Sequence, residues 1–173
     1  DLEALHLSLH IGGAVYRNYL DGRELDTVDF YRQLREGGIL PTTSAINAAE
    51  WAAAMEPHLK NGEDILVLAF SSGLSATYQS AQIAAEDLSA QYPDRKIKVI
   101  DTLCASLGQG LLVYLAAKRR QAGASFEEAI QFVLDTRPHL CHWFTVDDLG
   151  HLRRGGRISG ATALLGTLLG IKP

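Results

Sequence analysis

Leu5, Leu7, Leu9 and Ile11 alternate with His6, Ser8 and His10, a period of two that predicts a half-exposed strand over residues 5–11. Gly12-Gly13 then turns the chain. The period changes next. Val28, Phe30, Tyr31 and Leu34 recur at helical spacing behind a candidate cap at Asp26 or Thr27 and ahead of Gly37-Gly38, which predicts a helix over Thr27–Glu36. Pro41-Thr42-Thr43-Ser44 reads as a loop. An Ala-rich helix over residues 46–59 follows, with Trp51, Ala52 and Met55, stopped by Asn61-Gly62. The run Ile65-Leu66-Val67-Leu68-Ala69-Phe70 has no alternation, as a strand buried on both faces requires.

Ser71-Ser72-Gly73-Leu74-Ser75 separates that strand from a helix over residues 76–91. A second strand, Ile97–Asp101, leads into a helix over residues 105–121 that Gly123 closes. Strand, loop and helix in repetition predict an α/β fold, a parallel-type sheet flanked by helices and joined by right-handed crossovers. Ser125 and Glu128 form a capping box for a helix ending near Thr136, ahead of Pro138. Residues 140–146 read as a strand, 147–153 as a helical turn and 158–169 as an apolar helix. No linker, repeat or low-complexity segment interrupts the chain.

Composition narrows the class. The 173 residues are 47% apolar and 21% charged, with 16 Lys and Arg against 20 Asp and Glu for a net charge of −4; a nucleic-acid partner is not expected. The longest apolar stretch, residues 161–171, is broken by Thr and Gly and falls short of the ~20 residues of a membrane span. Two scattered cysteines and no export signal point to a reducing cytoplasm. The chain opens on Asp1 rather than Met and stops at Gly170-Ile171-Lys172-Pro173, so both ends are expected to be cuts.

In an open α/β sheet ligands bind at the carboxyl ends of the strands, and three loops compete for that role. Ser71-Ser72-Gly73-Leu74-Ser75-Ala76-Thr77 offers hydroxyls and helix N–H groups to a carboxylate or phosphate, although plain capping explains the same residues. Pro41-Thr42-Thr43-Ser44 is foremost a capping signal. Arg153-Arg154-Gly155-Gly156-Arg157 gathers three guanidinium groups and suits an anion, with a solvated basic turn as the alternative. Other features carry less. Strand alternation would put His142 on the opposite face from His139 and Cys141, so no metal site is expected. His6, Ser8 and His10 read as a partly exposed strand face, and Cys104 as a small buried hydrophobe. Gly108 and Gly110 lack the third glycine of a dinucleotide fingerprint. Gly156/Gly160 and Gly166/Gly170 match a membrane-dimer spacing only formally. No histidine is marked as a base for a Ser-His-Asp set.

Taken in order and spacing, Leu40-Pro41-Thr42-Thr43-Ser44, residues 71–81, Val99-Ile100-Asp101-Thr102 with Ala105-Ser106-Leu107-Gly108, and Leu152-Arg153-Arg154-Gly155-Gly156-Arg157-Ile158 resemble the DegV family of bacterial fatty-acid-binding proteins. The resemblance runs over nearly the whole chain. It implies a long-chain fatty acid with its tail in an apolar tunnel and its carboxylate on Thr43, Ser44, Ser72, Gly73 and Ser75, Thr43 and Ser75 matching the family's Thr and Ser. It implies a binding subunit rather than an enzyme, with no cofactor. A separate ATP-binding kinase partner would phosphorylate the presented carboxylate to an acyl phosphate for phospholipid synthesis, and Arg153 and Arg157 would face the phosphate or that partner. The competing reading is a phosphotransferase or hydrolase using Ser72 and Ser75; a phosphate-binding glycine loop with Lys is missing for it.

Departures from the family pattern are local and global. Ala45, Ile46 and Asn47 replace a usual Gln, Pro and Ser, and Ala76 replaces a Gly. The resemblance further implies a first strand and a second lobe that this chain lacks, so residues 1–173 read as one lobe of a two-lobe protein, with residues from about 150 leading into the second.

Overall fold

Gly12 and Gly13 adopt φ of +58° and +84°, the left-handed pair that a two-residue hairpin turn demands. They join β1 (Ser8–Ile11) to β2 (Ala14–Arg17) in antiparallel register, Ile11 opposite Ala14. In this computed structural model, which describes residues 2–36, 38, 40–143 and 149–159, the strand read over 5–11 thus begins at Ser8 and continues beyond the turn. A third strand was unforeseen. Residues 42–44, read as a loop, form β3 (Thr42–Ser44) on the other edge of β1, again antiparallel, giving the order β2-β1-β3. Three Thr and Ser residues carry no apolar run to announce a strand; the partner β1 supplies its pairing.

Between these strands lies α1 (Thr27–Glu36), started by Asp26, whose Oδ1 accepts from the N–H groups of Val28 and Asp29. Then α2 (Ala48–Lys60) opens on a reciprocal capping box between Asn47 and Glu50, and Arg17 of β2 reaches Glu50 at 3.0 Å.

The parallel sheet follows the sequence expectation closely. β4 (Ile65–Ala69) pairs with β5 (Ile97–Asp101) from Ile65 opposite Ile97 to Ala69 opposite Asp101, and α3 (Thr77–Gln91) is the crossover. Both faces are covered, which is why β4 has no polar alternation. Val67 and Ala69 pack with Met55 and Leu59 of α2 and Ala81, Ala84 and Leu88 of α3. On the other face Leu66, Leu68 and Ile100 meet Leu112 and Ala116 of α4 (Ser106–Gln121) and Val133 of α5 (Phe126–Thr136). Ser125 and Glu128 cap α5 reciprocally, as their spacing predicts.

A 3-10 turn, Arg137–His139, ends this part. The chain divides into two compact units, Asp1–Leu140 and Cys141–Pro173. Residues 140–143 form no strand, and the remainder of the strand read over 140–146 lies outside the described residues. In the second unit α6 (Leu149–Arg154) is described, matching the helical turn read nearby; the apolar helix read over 158–169 falls outside apart from Ile158 and Ser159, which are not helical. Among the described residues no helix is long and apolar enough to cross a membrane.

Candidate functional site

α2 feeds β4 through the Asn61-Gly62 turn, and α3 leaves β4 through residues 70–76. Both helices therefore run back along the sheet, side by side, with their N-termini at the carboxyl end of β4. That topology brings two of the hydroxyl-bearing segments to one end of the first unit.

The segment after β4 is a tight turn knotted by its own serines. Ser71 is buried and its Oγ accepts from Gly73 N–H at 3.3 Å, while its carbonyl accepts from Leu74 and Ser75. Ser71 is thus structural. A Cβ on Gly73 would meet Ser71 Oγ at 3.5 Å, an ordinary contact, so space alone does not demand glycine there. Ser75 Oγ lies 2.8 Å from Thr77 Oγ1 and accepts from Thr77 N–H. Ala76, at the N-cap of α3, contributes no side-chain acceptor. Ser75 Oγ thus takes up an N–H of that first turn in place of a cap at Ala76, and the positive end of the helix lies beside its hydroxyl.

Asp101, to which the sequence reading gave no role, organises this end of the sheet. Its Oδ1 accepts from Ser72 N–H at 3.2 Å and Leu103 N–H at 3.0 Å, tying the β4–α3 turn to the β5–α4 turn. Burial pushes the Asp101 carboxyl up, but hydrogen bonds from Ser72 and Leu103, with the Arg137 guanidinium nearby, outweigh it and hold the group below its ordinary value. Arg137 donates to the Asp101 carbonyl at 2.8 Å. Thr102, fully buried, donates its hydroxyl to the Ala69 carbonyl, and Ser71 N–H donates to the Cys104 carbonyl. Leu103 and Ser106 hold φ of +55° and +47°, a conformation unfavourable for residues with a Cβ. An acidic residue closing an apolar strand was the available signal. Cys104 is buried and its thiol is pushed up, by burial first and then by the Asp101 charge; a neutral thiol in that setting is no nucleophile.

Thr43 and Ser44 are adjacent on β3 and so project from opposite faces of the antiparallel sheet. Ser44 pairs with Ser8, and its Oγ lies 2.8 Å from His10 Nε2 on the polar face. Thr43 pairs with Leu9, two residues from buried Ile11, and is exposed. The two hydroxyls therefore cannot serve one ligand from one face. The site residues read from the sequence fall into three groups: Ser72, Gly73 and Ser75 in one turn, Thr43 and Ser44 on a strand of the same unit, and Arg153 and Arg157 in the second unit.

In that second unit Gly156, at φ +74°, ends α6. Its N–H donates to the Arg153 carbonyl and the Arg157 N–H to the Leu152 carbonyl, a Schellman closure in which the glycine's first task is to stop a helix. Arg157 also donates through Nη1 to the Gly155 carbonyl. Arg153 and Arg157 are exposed at the negative end of α6, which they complement. His139 closes the 3-10 turn of the first unit, whereas Cys141 and His142 belong to the second; among the described residues no group of three or more His, Cys, Asp or Glu is arranged to hold a metal ion.

Comparison with known proteins matches a family model described as "Uncharacterised protein, DegV family" over residues 1–173. A DegV domain-containing protein of Clostridium perfringens is 49% identical over all 173 residues, which span 59% of that relative's length. Among solved structures, a fatty-acid-binding DegV family protein from Thermus thermophilus superposes with a TM-score of 0.80 at 35% identity, over 98% of this chain and 57% of that one. DegV of Bacillus subtilis, described as a fatty acid binding protein, gives 0.78 at 31% identity, over 98% and 58%.

Proposed function

The chain belongs to the DegV family, and on that footing we propose that it carries the head-group end of a long-chain fatty-acid site. The observation that carries this reading is the turn after β4, where Ser75 presents its hydroxyl at the otherwise uncapped N-terminus of α3. A carboxylate seated there accepts from the Ser75 hydroxyl and from helix N–H groups, with Thr43 adding a hydroxyl from β3. The likeness to fatty-acid-binding DegV structures supports the choice of ligand. Ser72 and Gly73 shape the turn, since Ser72 N–H is held by Asp101, and Ser44 supports β3 through His10.

Neutral donors orient a carboxylate without neutralising it, so one oxygen keeps the electron density needed to attack a γ-phosphorus. We assign that step to a separate ATP-binding kinase partner: the carboxylate oxygen bonds to phosphorus, the bond to the β-phosphate oxygen breaks, and acyl phosphate and ADP leave for phospholipid synthesis. Arg153 and Arg157 then face the phosphate or the partner.

The test is oleate binding to the full-length protein, followed by native mass spectrometry and titration calorimetry. Thr43→Ala and Ser75→Ala are each expected to weaken binding by about tenfold, the loss typical of a hydrogen bond to a charged group. Arg157→Ala is expected to leave oleate affinity within about twofold, as a residue outside the head-group contacts should, while slowing acyl-phosphate formation with the partner. Unchanged affinity in both hydroxyl variants would remove the proposed site.

A further inference from the structure

An anion at this end of the sheet meets a like charge in Asp101. The Asp101 carboxylate accepts from Ser72 N–H at 3.2 Å, and Ser72 lies in the turn whose Ser71 carbonyl accepts from Leu74 and Ser75. A turn closed in that way keeps its ends within about 7 Å. The Asp101 charge is therefore on the order of 10 Å from a head group on Ser75, about one screening length at physiological salt. Burial opposes its ionisation, but the hydrogen bonds from Ser72 and Leu103 and the Arg137 charge hold it below its ordinary value, so it is charged at pH 7.

Arg137 faces that charge. It is the C-cap residue of α5 and the first residue of the 3-10 turn, 36 residues from Asp101 in sequence, and its Nη1 donates to the Asp101 backbone carbonyl at 2.8 Å. Two plainer tasks fall short of explaining this side chain. A cation after α5 complements the negative end of that helix, which requires no reach to β5. Hydrogen bonding accounts for Nη1, whereas Nε is buried without an acceptor among the described residues, a cost that a side chain kept only for its hydrogen bonds would avoid.

We propose that Arg137 makes this end of the sheet selective for an anionic head group: its guanidinium offsets the Asp101 carboxylate, which would otherwise repel an acyl carboxylate from the Ser72–Ser75 turn. Arg137 needs no contact with the ligand. It acts by charge, through Asp101, and leaves the donors of Ser75 and Thr43 as they are. The inference rests on the fatty-acid reading above and adds to it a basis for choosing an acid over a neutral lipid. An acyl alcohol of equal chain length shares the tail and carries no charge, so its binding does not sense the pair.

Titration calorimetry of the full-length protein with oleate and with oleyl alcohol separates charge from shape. Arg137→Gln is expected to weaken oleate about tenfold, the order set by a unit charge about 10 Å away in a partly buried site, and to leave oleyl alcohol within about twofold. Arg137→Lys, which keeps the charge, is expected to hold oleate within about threefold of wild type. Asp101→Asn removes the repelling charge while keeping an acceptor oxygen for Ser72 and Leu103, and is expected to bind oleate several-fold more tightly. That opposite sign keeps the inference testable should Arg137→Gln fail to fold. Oleate and oleyl alcohol weakened together in Arg137→Gln, or oleate not tightened in Asp101→Asn, overturns the role of Arg137 and leaves the fatty-acid reading intact. Wild type that binds no oleate removes the underlying reading and this inference with it.

Discussion

One oxygen of Asp101 holds the two turns at the carboxyl end of the parallel sheet, and its removal leaves two backbone donors of those turns without their acceptor. Asp101→Ala is expected to cost about 2 kcal/mol at pH 7. Asp101→Asn, which keeps an acceptor oxygen, costs less. Because the folded carboxyl sits below its ordinary value, its charge-dependent contribution is complete above the unfolded pKa of about 4 and fades as pH falls through the lower folded value. Urea midpoints of wild type and Asp101→Asn should therefore differ at pH 7 and converge toward pH 2. His58 runs the other way. Both ring nitrogens face carboxylates, Nε2 on Glu3 at 2.9 Å and Nδ1 on Glu63 at 2.5 Å, an arrangement that needs both nitrogens protonated. The hydrogen bonds to Glu3 and then Glu63 hold the imidazolium above its ordinary 6.5. Its stabilisation is present below pH 6.5 and lost as pH rises through the folded value. The unfolding midpoint of His58→Gln should trail wild type at pH 5.5 and match it at pH 9; an equal gap at both would show that the imidazolium contributes nothing.

At the scale of elements, what was legible depended on whether the signal was local. Thr27–Glu36, the Ser125 start and the Ile65–Ala69 strand are set by caps, glycine stops and an unbroken apolar run within a few residues of themselves; the Asn47–Glu50 box is equally local, yet the sequence reading began α2 at residue 46 without it. β2 and β3 are set by β1, a partner that Ala14–Arg17 and Thr42–Ser44 do not encode in their own pattern. α4 illustrates a subtler limit. Its apolar residues, from Leu107 to Ala117, lie all round the helix, and sequence alone does not say which face is core. Leu112 is fully buried beneath Ile100 and Val133, whereas Leu107 is 88% exposed. Leu112→Ala should cost about 2–5 kcal/mol in chemical denaturation, and Leu107→Ala should stay within about 0.5 kcal/mol. Equal losses would mean that the α4 face turned toward the sheet has been misassigned.

For the whole molecule, the candidate site was legible as a set of loops but not as an arrangement. Spacing marked the serine turn, the Thr43-Ser44 pair and the arginines; it did not reveal that the Ser71 hydroxyl and the Ser72 backbone N–H are bonded within this end of the sheet, that the Ser44 hydroxyl lies against His10, or that Gly156 is a helix stop. Two of those contacts are made by partners distant in sequence, Asp101 for Ser72 and His10 for Ser44. The hydroxyls and the arginines also belong to different compact units, and the proposed function gives them separate tasks. A ligand bound by the first unit stabilises what it touches, by about 2.7 kcal/mol at a hundredfold excess over Kd. In amide hydrogen exchange on the full-length protein, saturating oleate is expected to slow exchange at residues 72–78 and 101–106, and to leave residues 153–157 unchanged. Protection of equal size at the arginine turn would place both units on the fatty acid and overturn the division of labour between hydroxyls and guanidinium groups.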